Sequence, residues 1–334
     1  MTVDFALGTG LLSTDAHQLV RVTGLADTRA LLDAYARNGG NLIDSASIYP
    51  AIFKQAGKAQ KMLGQVDAAA KSAYGFTVDS KVNSFVPGKG NRPEHIRECL
   101  EETLKDLKVD HINVLYFHTV DPSTPLIDSI RAVDELFKEG KLKELGISNF
   151  SPALVRETFQ IARENNLIKP TVYQGEYNLL NRGAEEELVP LMHENGGRFY
   201  GFSPVAGGFL SGQHSRGQRP TMGRWDTTKE DNMLGDNYMK RYYSDSSFDA
   251  IDALQAEADK LGISLPTLAL RWLAHHSALA EAHGDRIVIG AGSPQSIQRS
   301  YDAVHEGKLP AHVVGVIDQA WQSIRTRDPP TFHH

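Results

Sequence analysis

The sequence predicts an α/β fold: a (β/α)8 barrel of the TIM-barrel type, with a long loop after strand seven and a C-terminal tail over the active-site face. Three observations predict it. Eight short runs rich in Val, Ile, Phe and Tyr recur along 334 residues, separated by amphipathic helical stretches. Several runs, such as Val114-Leu-Tyr-Phe117, are continuously apolar, the pattern of strands covered on both faces. A doubly wound sheet, the competing architecture, would carry a Gly-rich dinucleotide fingerprint in its first βα turn; Gly8-Thr9-Gly10-Leu11-Leu12-Ser13 lacks the third glycine. A phosphate loop of the form G-x-x-x-x-G-K-[ST] is also missing. Length alone allows two domains at roughly 150 residues each. Eight strands instead make residues 1–334 a single barrel domain.

The strands are expected at 3–8, 41–45, 76–82, 112–118, 144–148, 171–177, 198–203 and 287–290. A helix over 28–38 carries Leu31, Leu32 and Tyr35 and stops at Gly39-Gly40. A second, over 93–107, opens with Pro93 and aligns Ile96, Leu100, Leu104 and Leu107. Residues 128–138 end at Gly140, and Ser151-Pro152 supplies a cap and first-turn proline for another helix. Further helices are expected at 184–195, 294–305 and 311–325. Residues 206–247 break the rhythm with weak periodicity; in a barrel such a loop hangs over the C-terminal face, where chemistry sits.

Composition narrows the function. Apolar residues make up 41% of the chain and aromatics 8%, which excludes a disordered chain. A net charge of −6 argues against nucleic-acid or anionic-membrane partners, which need clustered Lys and Arg. Cys99 is the only cysteine, so no intrachain disulfide forms, and a reducing compartment fits. No run approaches the ~18 apolar residues of a membrane helix. The start MTVDFALGTG lacks a basic segment followed by an apolar one, so a cytoplasmic location is expected.

Four polar residues sit where apolar strands give way to loops: Asp44, Tyr49, Lys81 and His118. Each alone has a bland account, such as a cap for Asp44 or an ion-paired core lysine for Lys81. Together they make sense as a proton-donating site. A lysine ammonium favours a phenolate, so Lys81 is expected to lower the pKa of Tyr49. Asp44 would keep Lys81 charged and in place. His118 would donate to a carbonyl oxygen, and Tyr49 would protonate it. Such a site lacks a hydride source, so a cofactor is required.

These four residues resemble the Asp-Tyr-Lys-His tetrad of the aldo-keto reductase superfamily, and the likeness runs over nearly the whole chain. Asn41-Leu-Ile-Asp44-Ser-Ala-Ser-Ile-Tyr49 is similar to its first signature. Gly146-Ile-Ser148-Asn149, Gln174-Gly-Glu-Tyr177-Asn178 and Phe202-Ser203-Pro204-Val-Ala-Gly207-Gly208-Phe-Leu210 resemble later segments in order and spacing. The second half looks most like the aflatoxin-aldehyde-reductase branch, through Arg271-Trp272-Leu-Ala-His275-His276, Ala282-His283-Gly284-Asp285 and the loop residues Gly223-Arg224 and Arg241-Tyr-Tyr.

The resemblance implies reduction of an aldehyde or ketone with NADPH, NADH being the lesser cofactor, and a homodimer as the assembly. Tyr49 would be the general acid, Lys81 and Asp44 its tuners, and His118 the carbonyl-orienting donor. Ser148, Asn149 and Gln174 would hold the nicotinamide carboxamide, with Phe202 stacked where the family usually has Tyr. Ser203, Val205, Gly207 and Leu210 would line the pyrophosphate. Gly8, Thr9 and Gly10 complete the cofactor set. Gly290, Gly292, Ser293, Gln298 and Arg299 would hold the adenosine end, at a helix start that favours phosphate. Ser300 stands where Asn is common. Arg299 faces either the 2′-phosphate or solvent, so the NADPH preference is inherited from the family. Arg224, Trp225 and Arg241 are candidates for the substrate wall, with solvated charge the alternative for the arginines. The end Thr331-Phe-His-His lacks the arginine that the branch often carries there.

Two rivals differ in kind. A regulatory nicotinamide-binding subunit resembling potassium-channel β-subunits would bind cofactor and show no turnover. A metal-dependent barrel hydrolase could use the 13 histidines, but the chain has neither His-x-His nor His-Glu-x-x-His, so no metal is expected.

Overall fold

Each of the eight apolar runs is a strand, and the strands close into a parallel barrel in sequence order. The computed structural model describes residues 2–52, 55–221, 223–228, 232 and 234–328. The strands are β1 (Asp4–Gly8), β2 (Leu42–Asp44), β3 (Thr77–Val82), β4 (Ile112–Phe117), β5 (Leu142–Ser148), β6 (Pro170–Glu176), β7 (Arg198–Phe202) and β8 (Arg286–Gly290). Helices α1 (Leu25–Arg37), α2 (Lys58–Gln65), α3 (Pro93–Leu107), α4 (Leu126–Lys138), α5 (Pro152–Glu164) and α6 (Leu188–Glu194) follow the first six strands. After β7 come α7 (Gly235–Tyr242), α8 (Asp245–Leu261) and α9 (Leu265–His275), and after β8 come α10 (Pro294–His305) and α11 (Ala311–Arg327).

Two apolar layers hold the barrel. The larger lies between strands and helices, with Leu7, Ile43, Leu115, Ile147 and Phe199 meeting helix residues such as Leu31, Ile96 and Val155. The smaller fills the barrel itself and contains Ala6, Leu42, Val114, Tyr116, Val172, Tyr200 and Val288. Side chains alternate along a strand, so this inner set shares its face with Asp44, Asp79, Lys81, Gln174 and Phe202. Register then sets the height of each group. Gly8 pairs with Asp44 and with Gly290, and Ser148 pairs with Gln174, so these residues share the C-terminal rim.

Helix starts follow local chemistry. Ser151 accepts from the Leu154 amide and Pro152 opens α5; Ser264 and Pro266 do the same for α9. Two departures from the expected elements have physical causes. The helix expected over 184–195 is a 3-10 turn at Gly183–Glu185 followed by α6. Pro190 explains the break, because a helix begun at 184 would put it in the interior, where it lacks an N–H and clashes with the preceding turn. The 206–247 stretch is not one irregular loop. It holds short 3-10 turns at Ala206–Ser211 and Gly223–Trp225, all of α7 and the start of α8. Of α7 only Gly235, Tyr238 and Tyr242 are buried, too few apolar positions to mark a period. Helices α2, α7 and α9 are additional to those expected. The tail expected over the active-site face falls at residues 329–334, outside the described residues; α11, which precedes it, packs on α8. Among the described residues no helix is long and apolar enough to cross a membrane.

Candidate active site

Asp44 is the last residue of β2, and Lys81 lies on the neighbouring strand β3 with its side chain turned to the same interior. Lys81 Nζ donates to Asp44 Oδ1 at 2.6 Å and to the Ser45 carbonyl at 2.9 Å. The two side chains are 1% and 2% exposed. At that depth neither charge would be tolerated alone, so the pair exists as a unit. Thr9 anchors the strand end: its amide and its Oγ1 both donate to the Asp44 carbonyl, at 3.0 and 3.1 Å.

Tyr49 follows on the loop after β2. Its ring centre is 5.2 Å from Lys81 Nζ, and its ring meets that of His118 edge to face at 5.9 Å. Gly10 leaves the far side of the Tyr49 ring bare of a side chain; an added Cβ would lie 3.8 Å from it. His118 lies one residue beyond β4, between Tyr49 and Phe85. The four expected residues therefore converge.

Burial governs the protonation states. It pushes the Tyr49 phenol above its ordinary value, against the opposing pull of Lys81. From sequence alone Lys81 is expected to win and lower it; the depth of the ring reverses that direction. For Lys81 burial works against the charge, but Asp44 and Tyr49 hold the ammonium above its ordinary range. Burial, then Lys81, pushes His118 down to about 3, so the ring is neutral near pH 7, and its Nδ1 is buried with no hydrogen-bond partner. Below this layer lies Asp79, a residue that the motifs did not single out. It is fully buried, accepts from Asn113 Nδ2 at 2.9 Å and the Val114 amide at 3.2 Å, and burial raises its carboxyl to about 7. Its place two residues before Lys81 is the signal that would have found it, since period two turns both inward.

The tetrad forms the floor of a cleft of about 1140 Å³. Among the expected site residues, Gly8, Gly10, Asp44, Tyr49, His118, Ser148, Asn149, Gln174, Phe202, Ser203, Val205, Gly207, Gly290 and Arg299 line it, as do Arg224, Trp225 and Arg241. Lys81 lies behind Asp44, and Thr9 lies behind the rim. Gln174 Nε2 donates to Asp44 Oδ1 at 2.7 Å; Asn149 Nδ2 donates to the His118 carbonyl at 2.9 Å and to Ser148 Oγ at 3.1 Å. These contacts tie the β5 and β6 ends to the tetrad.

Comparison with known proteins agrees with the geometry. The Aldo/keto reductase family model matches residues 6–322. Aldo-keto reductase family 7 member A3 of Homo sapiens is 35% identical over 93% of this chain and 92% of its own length. Aflatoxin B1 aldehyde reductase member 2 of Rattus norvegicus is 33% identical over 91% of this chain and 82% of its own. An aldo-keto reductase of Pseudocercospora fijiensis is 31% identical over 90% and 100%. The chain belongs to the aldo/keto reductase family. It is accordingly an oxidoreductase, of a family that acts on small carbonyl substrates.

The rest of the cleft in this aldo/keto reductase is built by irregular backbone. Asn149 and Ser203 take left-handed conformations, at φ 58° and 55°, as does Gly207 at 64°. Left-handed non-glycine residues are uncommon, and here they crowd one cleft. At Gly207 a Cβ would also lie 2.5 Å from the Tyr238 ring, so only glycine fits. Trp225 is 3% exposed, donates to the Gly207 carbonyl at 3.1 Å and stacks on Tyr238 at 5.2 Å, which makes it a brace for that turn. Arg224 Nη1 reaches the Tyr238 hydroxyl at 3.4 Å, and Arg241 Nη1 lies 3.0 Å from Glu176 Oε2.

The adenosine-end candidates divide. Gly290 and Arg299 line the cleft, and Ser293 caps α10 by accepting from the Ser296 amide. Gly292 packs against Arg21, a cleft residue from the β1–α1 loop that the motifs did not indicate. Leu210 is fully buried in the core. Gln298 turns away to the surface, where it accepts from Asn38 and donates to Asp302.

Proposed function

We propose that this reductase converts an aldehyde or ketone to the alcohol with NADPH, and that Tyr49 gives the proton. The observation that carries the reading is a phenol held protonated at the floor of an open cleft, backed by a buried ion pair and flanked by a neutral histidine. As negative charge builds on the carbonyl oxygen, Tyr49 donates its proton and His118 donates an N–H. Lys81 then faces a phenolate, which its ammonium stabilises, and Asp44 keeps that ammonium charged and aimed.

The residues present fit a nicotinamide dinucleotide. The Gly207 turn leaves bare backbone at the cleft, Phe202 offers a flat face, and the amides of Asn149 and Gln174 stand beside the tetrad. When bound, the nicotinamide supplies hydride. Ser148, Asn149 and Gln174 would hold its carboxamide, while Ser203, Val205 and Gly207 would take the pyrophosphate, with Leu210 packed behind them in the core. Gly8, Thr9 and Gly10 shape the floor; Gly290, Gly292, Ser293 and Arg299 would take the adenosine end, whereas Gln298 is engaged at the surface by Asn38 and Asp302. The relatives named aldehyde reductases support an aldehyde-type substrate. The reading includes one barrel domain over 1–334, a homodimer and a cytoplasmic location. No observation favours the regulatory-subunit alternative.

Fluorescence titration with NADPH and NADH, followed by a panel of aldehydes and ketones, tests the proposal. NADPH should bind more tightly, and at least one carbonyl class should be turned over. Binding of neither nucleotide would overturn it. Arg299→Ala should weaken NADPH about tenfold, the scale of one charged hydrogen bond, and NADH far less. Equal losses would remove Arg299 from the 2′-phosphate.

A further inference from the structure

We propose that Glu176 sets the charge selectivity of the substrate cleft by occupying Arg241. The inference rests on the carbonyl-reductase reading and adds a specificity-determining residue to it.

Glu176 is the last residue of β6, two residues beyond Gln174, so period two gives both the same inward face. It pairs in register with Phe202 of β7, which lines the cleft. Its Oε2 lies 3.0 Å from Arg241 Nη1, with the carboxylate 9% and the guanidinium 19% exposed. Its other oxygen, Oε1, is buried without a hydrogen-bond partner. Arg241 lines the cleft; Glu176 stands behind it.

A guanidinium on the wall of a carbonyl-binding cleft is a fork shaped for a carboxylate. Here the protein supplies that carboxylate itself. The cleft therefore meets an ion pair at this point and not a bare cation. A substrate carboxylate reaching Arg241 must share it with Glu176, which sets two like charges together in a half-buried place. That juxtaposition works against anionic substrates, in the way that specificity is commonly built from a repulsive element. The pair thus favours carbonyl compounds whose remote end is neutral at Arg241. Arg224 lines the same cleft, so the readout is the change on mutation and not the absolute preference.

The test compares kcat/KM for butanal and for 4-oxobutanoate, which share a four-carbon aldehyde skeleton and differ by a terminal carboxylate. Glu176→Gln should raise the 4-oxobutanoate-to-butanal ratio about tenfold or more, the scale of one freed charged hydrogen bond. Glu176→Gln with Arg241→Gln should return the ratio to within about threefold of the unmutated protein. An unchanged ratio in Glu176→Gln overturns the inference. Removing one partner of a buried pair is costly, so Glu176→Gln can fail to fold. The double variant Glu176→Gln with Arg241→Gln, which leaves no buried charge unpaired, then decides. If Glu176 already occupies the guanidinium, losing both groups leaves the ratio within about threefold; a tenfold fall means that Arg241 grips the substrate, and the inference fails. Butanal turnover by the unmutated protein separates the two levels: its absence, with every other carbonyl also inert, defeats the reductase reading, whereas an unmoved ratio defeats only the role of Glu176.

Discussion

The floor and the wall of the cleft are built by different means. The floor is strand ends. Asp44 and Lys81 come from adjacent strands, pair at 2.6 Å and are buried among barrel residues, so register alone fixes their meeting. The wall after β7 has no ladder. It runs through Ser203 and Gly207 in left-handed conformations and is braced by Trp225, Tyr238 and Phe209 packed ring on ring. The proposed proton chemistry sits where the backbone permits least variation. The residues proposed for substrate choice sit where aromatic packing and a few side-chain hydrogen bonds hold the chain, and there a change of residue should alter the cleft without disturbing the barrel.

Breaking the floor should have the largest effect. Lys81→Met removes the ammonium that faces Tyr49 and leaves Asp44 buried without its ion partner. Turnover should fall about 10²- to 10⁴-fold, and chemical denaturation should show a loss of about 3–5 kcal/mol. A variant with full activity would detach Lys81 from the chemistry.

Asp79, one layer below, sharpens the contrast by pH. Burial raises its carboxyl to about 7, so between its ordinary range and that value the folded state keeps a proton that the unfolded chain has released. Stability therefore falls as pH rises from about 4 to about 7, and the cost persists above. Asp79→Asn removes that cost. Its stability advantage over the unmutated protein, measured by chemical denaturation, should be smallest near pH 4 and amount to about a few kcal/mol by pH 8. An advantage that does not grow with pH would contradict the assignment.

The wall should respond less. Gly207→Ala puts a Cβ against the Tyr238 ring and strains a backbone at φ 64°, costing about 1–3 kcal/mol. Because the tetrad lies apart from this turn, the loss should appear mainly as weaker nucleotide binding in a fluorescence titration, with kcat falling less than in Lys81→Met.

The same contrast decides what the sequence discloses. Strands covered on both faces write themselves as apolar runs, and the tetrad was legible because Asp44, Lys81 and His118 stand at the ends of such runs and Tyr49 on the loop that follows one. Cap chemistry was legible at α5, through Ser151 and Pro152; α9 carries the same signal in Ser264 and Pro266 but was not among the expected helices. Helix α7 was not legible, since it buries only Gly235, Tyr238 and Tyr242. Motif spacing placed Lys81 beside Tyr49 but gave no depth, and depth reverses the shift of the phenol. Nor does spacing disclose that Arg241 already has a carboxylate, because Glu176 lies 65 residues away in sequence and meets it only in the fold.

The central claim is that Tyr49 supplies the proton, and Tyr49→Phe tests it most directly. The change removes one hydroxyl and keeps the ring that packs against Gly10 and His118. Single-turnover and steady-state rates should both fall about 10²- to 10⁴-fold, while the NADPH Kd stays within about threefold. A variant that binds NADPH and turns over at the original kcat would contradict the account.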